Sequence, residues 1–150
     1  MKKVGWMLSI LMVALLFAVN LSAVDVKEPV IENQKVSLID ALIQVESNGN
    51  VEAVGDNGKA FGCLQIWNIV IQDVNRIYKT RYKHKDAFNK NKSKQICRLY
   101  LTYWGKHYER VTHNKITYEI LARIWNGGPK GYRKFQTIAY WNKVREKLDS

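Results

Sequence analysis

The chain has 150 residues, 47% of them hydrophobic, and 24 basic against 13 acidic side chains give a net charge of +11. That length suits one domain around one core, and that apolar content excludes an intrinsically disordered polymer. The charge favours polyanionic partners such as cell-wall polymers, acidic glycans, lipid surfaces or nucleic acid.

The N-terminus reads as an export signal. Lys2 and Lys3 precede an apolar run from Val4 to Val19, followed by Asn20 and the small residues Ser22 and Ala23. A positive n-region, an apolar h-region and a small-residue site define a signal peptide over residues 1–23. The run is about 16 residues, short of the roughly 20 that a spanning helix needs. Cleavage after Ala23 is therefore expected, with an uncleaved anchor over residues 4–19 as the alternative. In that alternative the N-terminal segment is the part that meets a membrane. Cleavage removes two lysines and no acid, so the exported chain stays strongly basic. Residues 24–36, with Pro29 and mixed charges, read as an extended segment, and residues 37–150 as the mature domain.

The mature domain reads as mainly α, with one small β-hairpin. Ser37 caps a first helix, and Asp40 three residues on completes a capping-box-like pattern. Leu38, Ala41, Leu42 and Val45 then share a face. Glu46 closes this apolar run, just ahead of Asn48-Gly49-Asn50. A carboxyl at the end of an apolar helix, facing a polar loop, is where burial can raise a pKa and make a general acid. Asn57-Gly58 marks a tight hairpin turn. A second helix is expected from about Leu64 to Ile77, with Asp73 as a structural residue, and an irregular stretch from Thr80 to Asn91. Ser93 opens a stronger helix carrying Ile96, Leu99, Tyr100, Tyr103 and Trp104, which weakens near Gly105. Thr117 opens the next, with Ile120, Leu121 and Ile124, stopped by Asn126-Gly127-Gly128-Pro129. Thr137 caps a last helix carrying Ile138, Trp141, Val144 and Leu148.

Cysteine and basic residues narrow the chemistry. In an oxidising compartment Cys63 and Cys97 form a candidate disulfide. It would close a loop of about 35 residues, worth about 3–4 kcal/mol, on the condition that the two Cα atoms approach closely. Two separate thiols are the alternative. Neither cysteine has an evident His partner for thiol catalysis, and no Cys/His pair has metal-ligand spacing. No metal or cofactor is expected. The densest basic stretches, Tyr78–Lys85 and Lys90–Lys94, carry no zinc-finger or RNA-binding aromatic motif. They read as a solvated basic face or an anion-binding patch, and nucleic acid is not an expected partner.

Three segments distant in sequence share one explanation: Val45-Glu46-Ser47, Gly55-Asp56-Asn57-Gly58 running on to Gly62-Cys63-Leu64-Gln65, and Trp125-Asn126-Gly127-Gly128. In this order they resemble the lysozyme-like superfamily that includes goose-type lysozymes and soluble lytic transglycosylases. The resemblance covers roughly residues 38–145. The family's catalytic Glu-Ser pair matches Glu46-Ser47, its Gly-x-x-Gln segment matches Gly62 to Gln65, and its aromatic-Asn-x-Gly segment matches Trp125 to Gly128. Trp125 stands where transglycosylases of this type usually carry Tyr. Asp56 matches the goose-type acid implicated in handling the attacking water, and a further family Asp is replaced here by Trp67.

The resemblance implies a lysozyme-like α+β domain that cleaves the β-1,4 bond between N-acetylmuramic acid and N-acetylglucosamine in peptidoglycan. Glu46 is then the general acid and Asp56 the second catalytic candidate. Two outcomes follow. A water held by Asp56 gives hydrolysis, whereas assistance by the substrate's own N-acetyl group gives a 1,6-anhydro product. Ser47, Gln65, Trp125, Asn126 and Tyr140 are the candidate substrate-binding residues. Ser47 has a backbone cap as its simpler role, Gln65 a polar helix start and Asn126 a turn former. Trp125 and Tyr140 offer aromatic faces to sugar rings, whereas Trp141 is assigned to the core. The expected partner is the peptidoglycan glycan strand, met by a monomer in the periplasm or outside the cell. A cationic wall-binding protein of the same fold without chemistry is the alternative function.

Overall fold

A computed structural model describes residues 36–150. The signal peptide expected over residues 1–23, and the extended segment up to residue 35, lie outside the described residues.

The described chain is mainly helical, with one small antiparallel sheet. Helix α1 spans Leu38–Ser47. Its start follows the expected cap: the Asp40 backbone N–H donates to Ser37 Oγ, and the Ser37 hydroxyl donates to the Asp40 carboxylate. Its end is set by Asn48, a left-handed residue whose backbone N–H returns to the last turn. Side-chain caps of this kind satisfy backbone groups that a helix end otherwise leaves bare.

Three two-residue strands follow, β1 (Val54–Gly55), β2 (Ala60–Phe61) and β3 (Ile66–Trp67), in the order β1-β2-β3. Gly55 pairs with Ala60, and Ala60 with Trp67. The hairpin expected at Asn57-Gly58 forms, with Asp56 and Asn57 both left-handed and the Gly58 N–H donating to the Gly55 carbonyl. Two successive left-handed residues match the right-handed twist of a strand pair, which is why Asp and Asn suit this turn. The sheet is pinned from outside. Phe61 stacks on His84 at 4.0 Å and on Phe88 at 4.8 Å. His84 also shares a hydrogen bond with the Ile66 carbonyl at 2.7 Å. Both aromatic partners come from a short 3-10 helix, His84–Phe88, within the segment expected to be irregular.

The second helix, α2, starts later than the apolar pattern suggests, at Asn68, and runs to Tyr78. The reason lies in the preceding backbone. Gln65 is left-handed, with φ +48°, and Ile66-Trp67 is committed to β3, so a helix cannot begin at Leu64. Helix α3 spans Lys90–Thr112 and passes straight through Gly105. That glycine is buried, and its missing side chain lets Leu121 and Ile116 lie against the helix. Helix α4 spans Tyr118–Gly127, capped by Thr117 as expected. Helix α5 spans Thr137–Leu148. Thr137 is its first residue rather than its cap, and its buried hydroxyl bonds the carbonyls of Gly131 and Lys134.

The core lies where α1, α4 and α5 meet α2 and α3. Leu42, Leu64, Ile66, Val74, Ile96, Ile124 and Val144 are fully buried there. Each such side chain stabilises the fold by about 1.5–3 kcal/mol. Cys63 and Cys97 are both buried thiols, and no disulfide joins them. The Cys63 thiol is instead turned to the Ser93 hydroxyl at 3.8 Å, one helical turn before Cys97 on α3. Among the described residues, no helix is long and apolar enough to cross a membrane.

Candidate active site

Glu46 sits in the last turn of α1, where the helix runs out against the sheet and α5. A cavity of about 300 Å³ opens beside it, lined by Asp56, Gln65, Trp67, Ile69, Val70, Tyr100, Trp125, Asn126 and Gly128 together with Glu46 itself. All three segments picked out in the sequence therefore converge here: the end of α1, the β1–β3 region and the end of α4.

Burial pushes the Glu46 pKa up to about 7. Loss of hydration is the largest cause, because a buried carboxylate gives up solvation that its neutral form hardly needs. Two neighbours oppose it. The Tyr140 hydroxyl donates to Glu46 Oε1 at 2.6 Å, and Trp125 acts on the carboxyl in the same sense. The negative charge of Asp56 adds a smaller push upward. A carboxyl balanced near 7 can hold a proton at neutral pH and still release it, which is the property of a general acid.

Asp56 is placed by the hairpin turn. Its Oδ2 accepts the Trp67 indole N–H at 3.0 Å, and Lys59 stands over the Trp67 ring at 5.9 Å from its centre. Gln65 is held by both sides of the sheet. Its Nε2 donates to the Gly62 carbonyl at 2.9 Å, while its Oε1 occupies the space that a side chain at Gly55 would need. Gly62 is required for a different reason. It has φ +72°, and a Cβ there would collide with the Ala87 carbonyl of the 3-10 helix. The glycine-rich pattern thus serves close approach, bringing the Gln65 amide into the cavity wall.

Trp125 and Asn126 line the cavity from the last turn of α4, and Trp125 packs edge-on against Tyr100 at 5.9 Å. Two expected binding residues act differently. Ser47 does not line the cavity; its hydroxyl donates to the Cys63 carbonyl at 2.9 Å, tying the end of α1 to the turn that carries Gln65. Tyr140 does not line it either. Its ring packs against the core and its hydroxyl is spent on Glu46, so no face is offered to a sugar. Burial and the Glu46 charge both raise the Tyr140 pKa, so this phenol stays protonated and acts as a donor.

Trp67, Ile69, Val70 and Tyr100 line the cavity without having been singled out for it, whereas Gly128 belongs to the segment that was. For Trp67 a signal exists: it lies two residues after Gln65, at the position where the resemblance puts a further acid. Tyr100 carries none, since its helical spacing marks it as core, and it is 3% exposed. Asp73 pairs with Arg76 on the surface of α2, in line with a structural role. Among the described residues, no three His, Cys, Asp or Glu side chains cluster closely enough to hold a metal ion. No protein-family model matches the chain, and no curated protein sequence matches it either.

Proposed function

We propose that this protein is an exported muramidase of lysozyme-like fold that cleaves the β-1,4 bond between N-acetylmuramic acid and N-acetylglucosamine in peptidoglycan. One observation carries the reading: a part-buried carboxyl, Glu46, with its pKa raised to about 7 on the wall of a polar and aromatic cavity.

The chemistry follows from that proton. Glu46 donates it to the glycosidic oxygen as the C1–O bond breaks, and positive charge develops at C1. Asp56, which lines the same cavity, takes a proton from a water that attacks C1, giving a reducing end. Where the substrate's own hydroxyl closes on C1 instead, the product is a 1,6-anhydro sugar and the ionised Glu46 recovers a proton from that hydroxyl. Gln65 and Asn126 supply amide groups suited to N-acetyl and hydroxyl groups, and Trp125 an aromatic wall suited to the apolar face of a ring. The net positive charge, which persists after loss of Lys2 and Lys3 with the signal, draws the protein to polyanionic wall material.

Export rests on the N-terminal pattern of Lys2-Lys3, the apolar run and Ala23. The second reading, a cationic wall-binding protein without chemistry, is favoured by that charge alone and leaves the elevated pKa of Glu46 without a purpose. The two separate in one experiment. Purified protein should clear a peptidoglycan suspension, and Glu46→Gln should abolish clearing while still sedimenting with the wall. Clearing at the wild-type rate by Glu46→Gln overturns the enzymatic reading. Wall binding with no clearing by the wild type supports the second.

A further inference from the structure

The proposed acid and its partner Asp56 both line the cavity, Glu46 from the end of α1 and Asp56 from the hairpin turn. Asp56 sits at the tip of a hairpin whose strands are two residues each. A strand pair that short is marginal by itself, so its tip needs an external tie to keep a side chain in one place. That tie is visible. The Trp67 indole N–H donates to Asp56 Oδ2 at 3.0 Å. Trp67 lies on β3, the far strand of the sheet, paired with Ala60, and it immediately precedes α2. The bond therefore runs from the hairpin tip across the sheet to the base of a helix.

Trp67 is not held in place by the core. It is 42% exposed, and its neighbour but one, Ile69, is 60% exposed, so this wall of the cavity is apolar and open to solvent. Large exposed apolar side chains beside a cavity suit a ligand with an apolar face, and a sugar ring has one. An indole N–H is a donor only, so its single hydrogen bond fixes which carboxylate oxygen of Asp56 is engaged and leaves the other free.

We propose that Trp67 is a positioning residue for Asp56 and at the same time an aromatic wall for the glycan, so that it sets the share of cleavage ending in hydrolysis. This rests on the muramidase reading above. In the hydrolytic step the C1–O bond to the leaving sugar breaks as Glu46 protonates its oxygen. A water oxygen then bonds to C1, and the water proton passes to the free oxygen of Asp56. With Asp56 untethered, water loses its acceptor in place, and the competing intramolecular attack by the sugar hydroxyl gains share.

The two roles are separable by substitution. Trp67→Phe keeps an aromatic ring and removes the N–H; Trp67→Ala removes both. Digestion of peptidoglycan followed by mass analysis counts reducing against 1,6-anhydro ends. Trp67→Phe should lower the ratio of reducing to anhydro ends by about tenfold or more, the scale of a misplaced reacting group, with KM little changed. Trp67→Ala should lower the ratio equally and raise KM as well. In an Asp56→Asn background, Trp67→Phe should change the ratio no further, which a general structural effect would not reproduce. An unchanged ratio in Trp67→Phe, additive effects in the double variant, or a wild type that yields anhydro ends alone overturns the inference and leaves the muramidase reading standing. A wild type that cleaves nothing overturns both.

Discussion

The hydroxyl of Tyr140 meets Oε1 of Glu46 at 2.6 Å, joining residues 94 positions apart in the chain. The contact couples α1 to α5 and supplies a donor to a carboxyl that burial would otherwise drive further from ionisation. Trp125 lies at the end of α4 beside the acid, and a phenol reaches the acid from a different helix, α5. Tyr140→Phe removes the donor while keeping the ring. The falling limb of a kcat/KM profile should then move upward from about 7, by about one pH unit for a bond of this strength. A limb that stays put or moves down contradicts the assigned role.

The wild-type profile itself follows from the same proton. A general acid works in its protonated form, so kcat/KM should decline as pH rises through about 7. Well above that point the loss should approach tenfold per pH unit. Turnover of a soluble glycan fragment across pH 5–9 measures it, and a rate still rising at pH 8 argues against Glu46 as the acid.

Stability should carry the opposite signature of an ordinary paired carboxylate. The Glu46 pKa is raised on folding, from 4.5 to about 7, so the folded state binds more protons between those values and loses stability as pH rises through them. Below 4.5 there is no penalty, and above 7 it is complete, at most about 3 kcal/mol. Glu46→Gln removes the titration. The melting temperatures of variant and wild type should therefore diverge from pH 4.5 to 7, with the variant the more stable at pH 8. Equal melting temperatures at both ends of that range contradict the raised pKa of Glu46.

The glycine pattern gives a test of the scaffold. Gly62→Ala places a Cβ against the Ala87 carbonyl at a residue with φ +72°. Strain and displaced backbone should together lower stability by about 1–3 kcal/mol. Gly55→Ala displaces the Gln65 amide instead, so its effect should appear mainly in KM. Denaturant melts and steady-state kinetics distinguish the two, and a Gly62→Ala variant as stable as wild type contradicts the close approach.

Much of this arrangement was legible in the chain. Helix periodicity located α1, α4 and α5, and the Asn57-Gly58 signal located the hairpin, because these features are written by neighbours in sequence. The late start of α2 was not legible, since it depends on Gln65 taking a left-handed backbone that only the packed sheet enforces. Gly105 misled for a related reason: a helix breaker by propensity, it is held inside α3 by Leu121 and Ile116. At the site, Glu46, Asp56, Gln65, Trp125 and Asn126 line one cavity, a grouping that only the resemblance, and no spacing within the chain, suggested. Ser47 and Tyr140 support it from outside the wall, because the direction of a hydroxyl depends on partners that sequence spacing does not specify.

The most direct measurement is mass analysis of peptidoglycan digested by the wild type and by Glu46→Gln at pH 6. Muropeptides cut between N-acetylmuramic acid and N-acetylglucosamine should accumulate with the wild type and fall by about 100-fold or more in the variant. Intact strands from a folded wild type, or the same fragments at the same rate from Glu46→Gln, would contradict a Glu46 proton as the agent of cleavage.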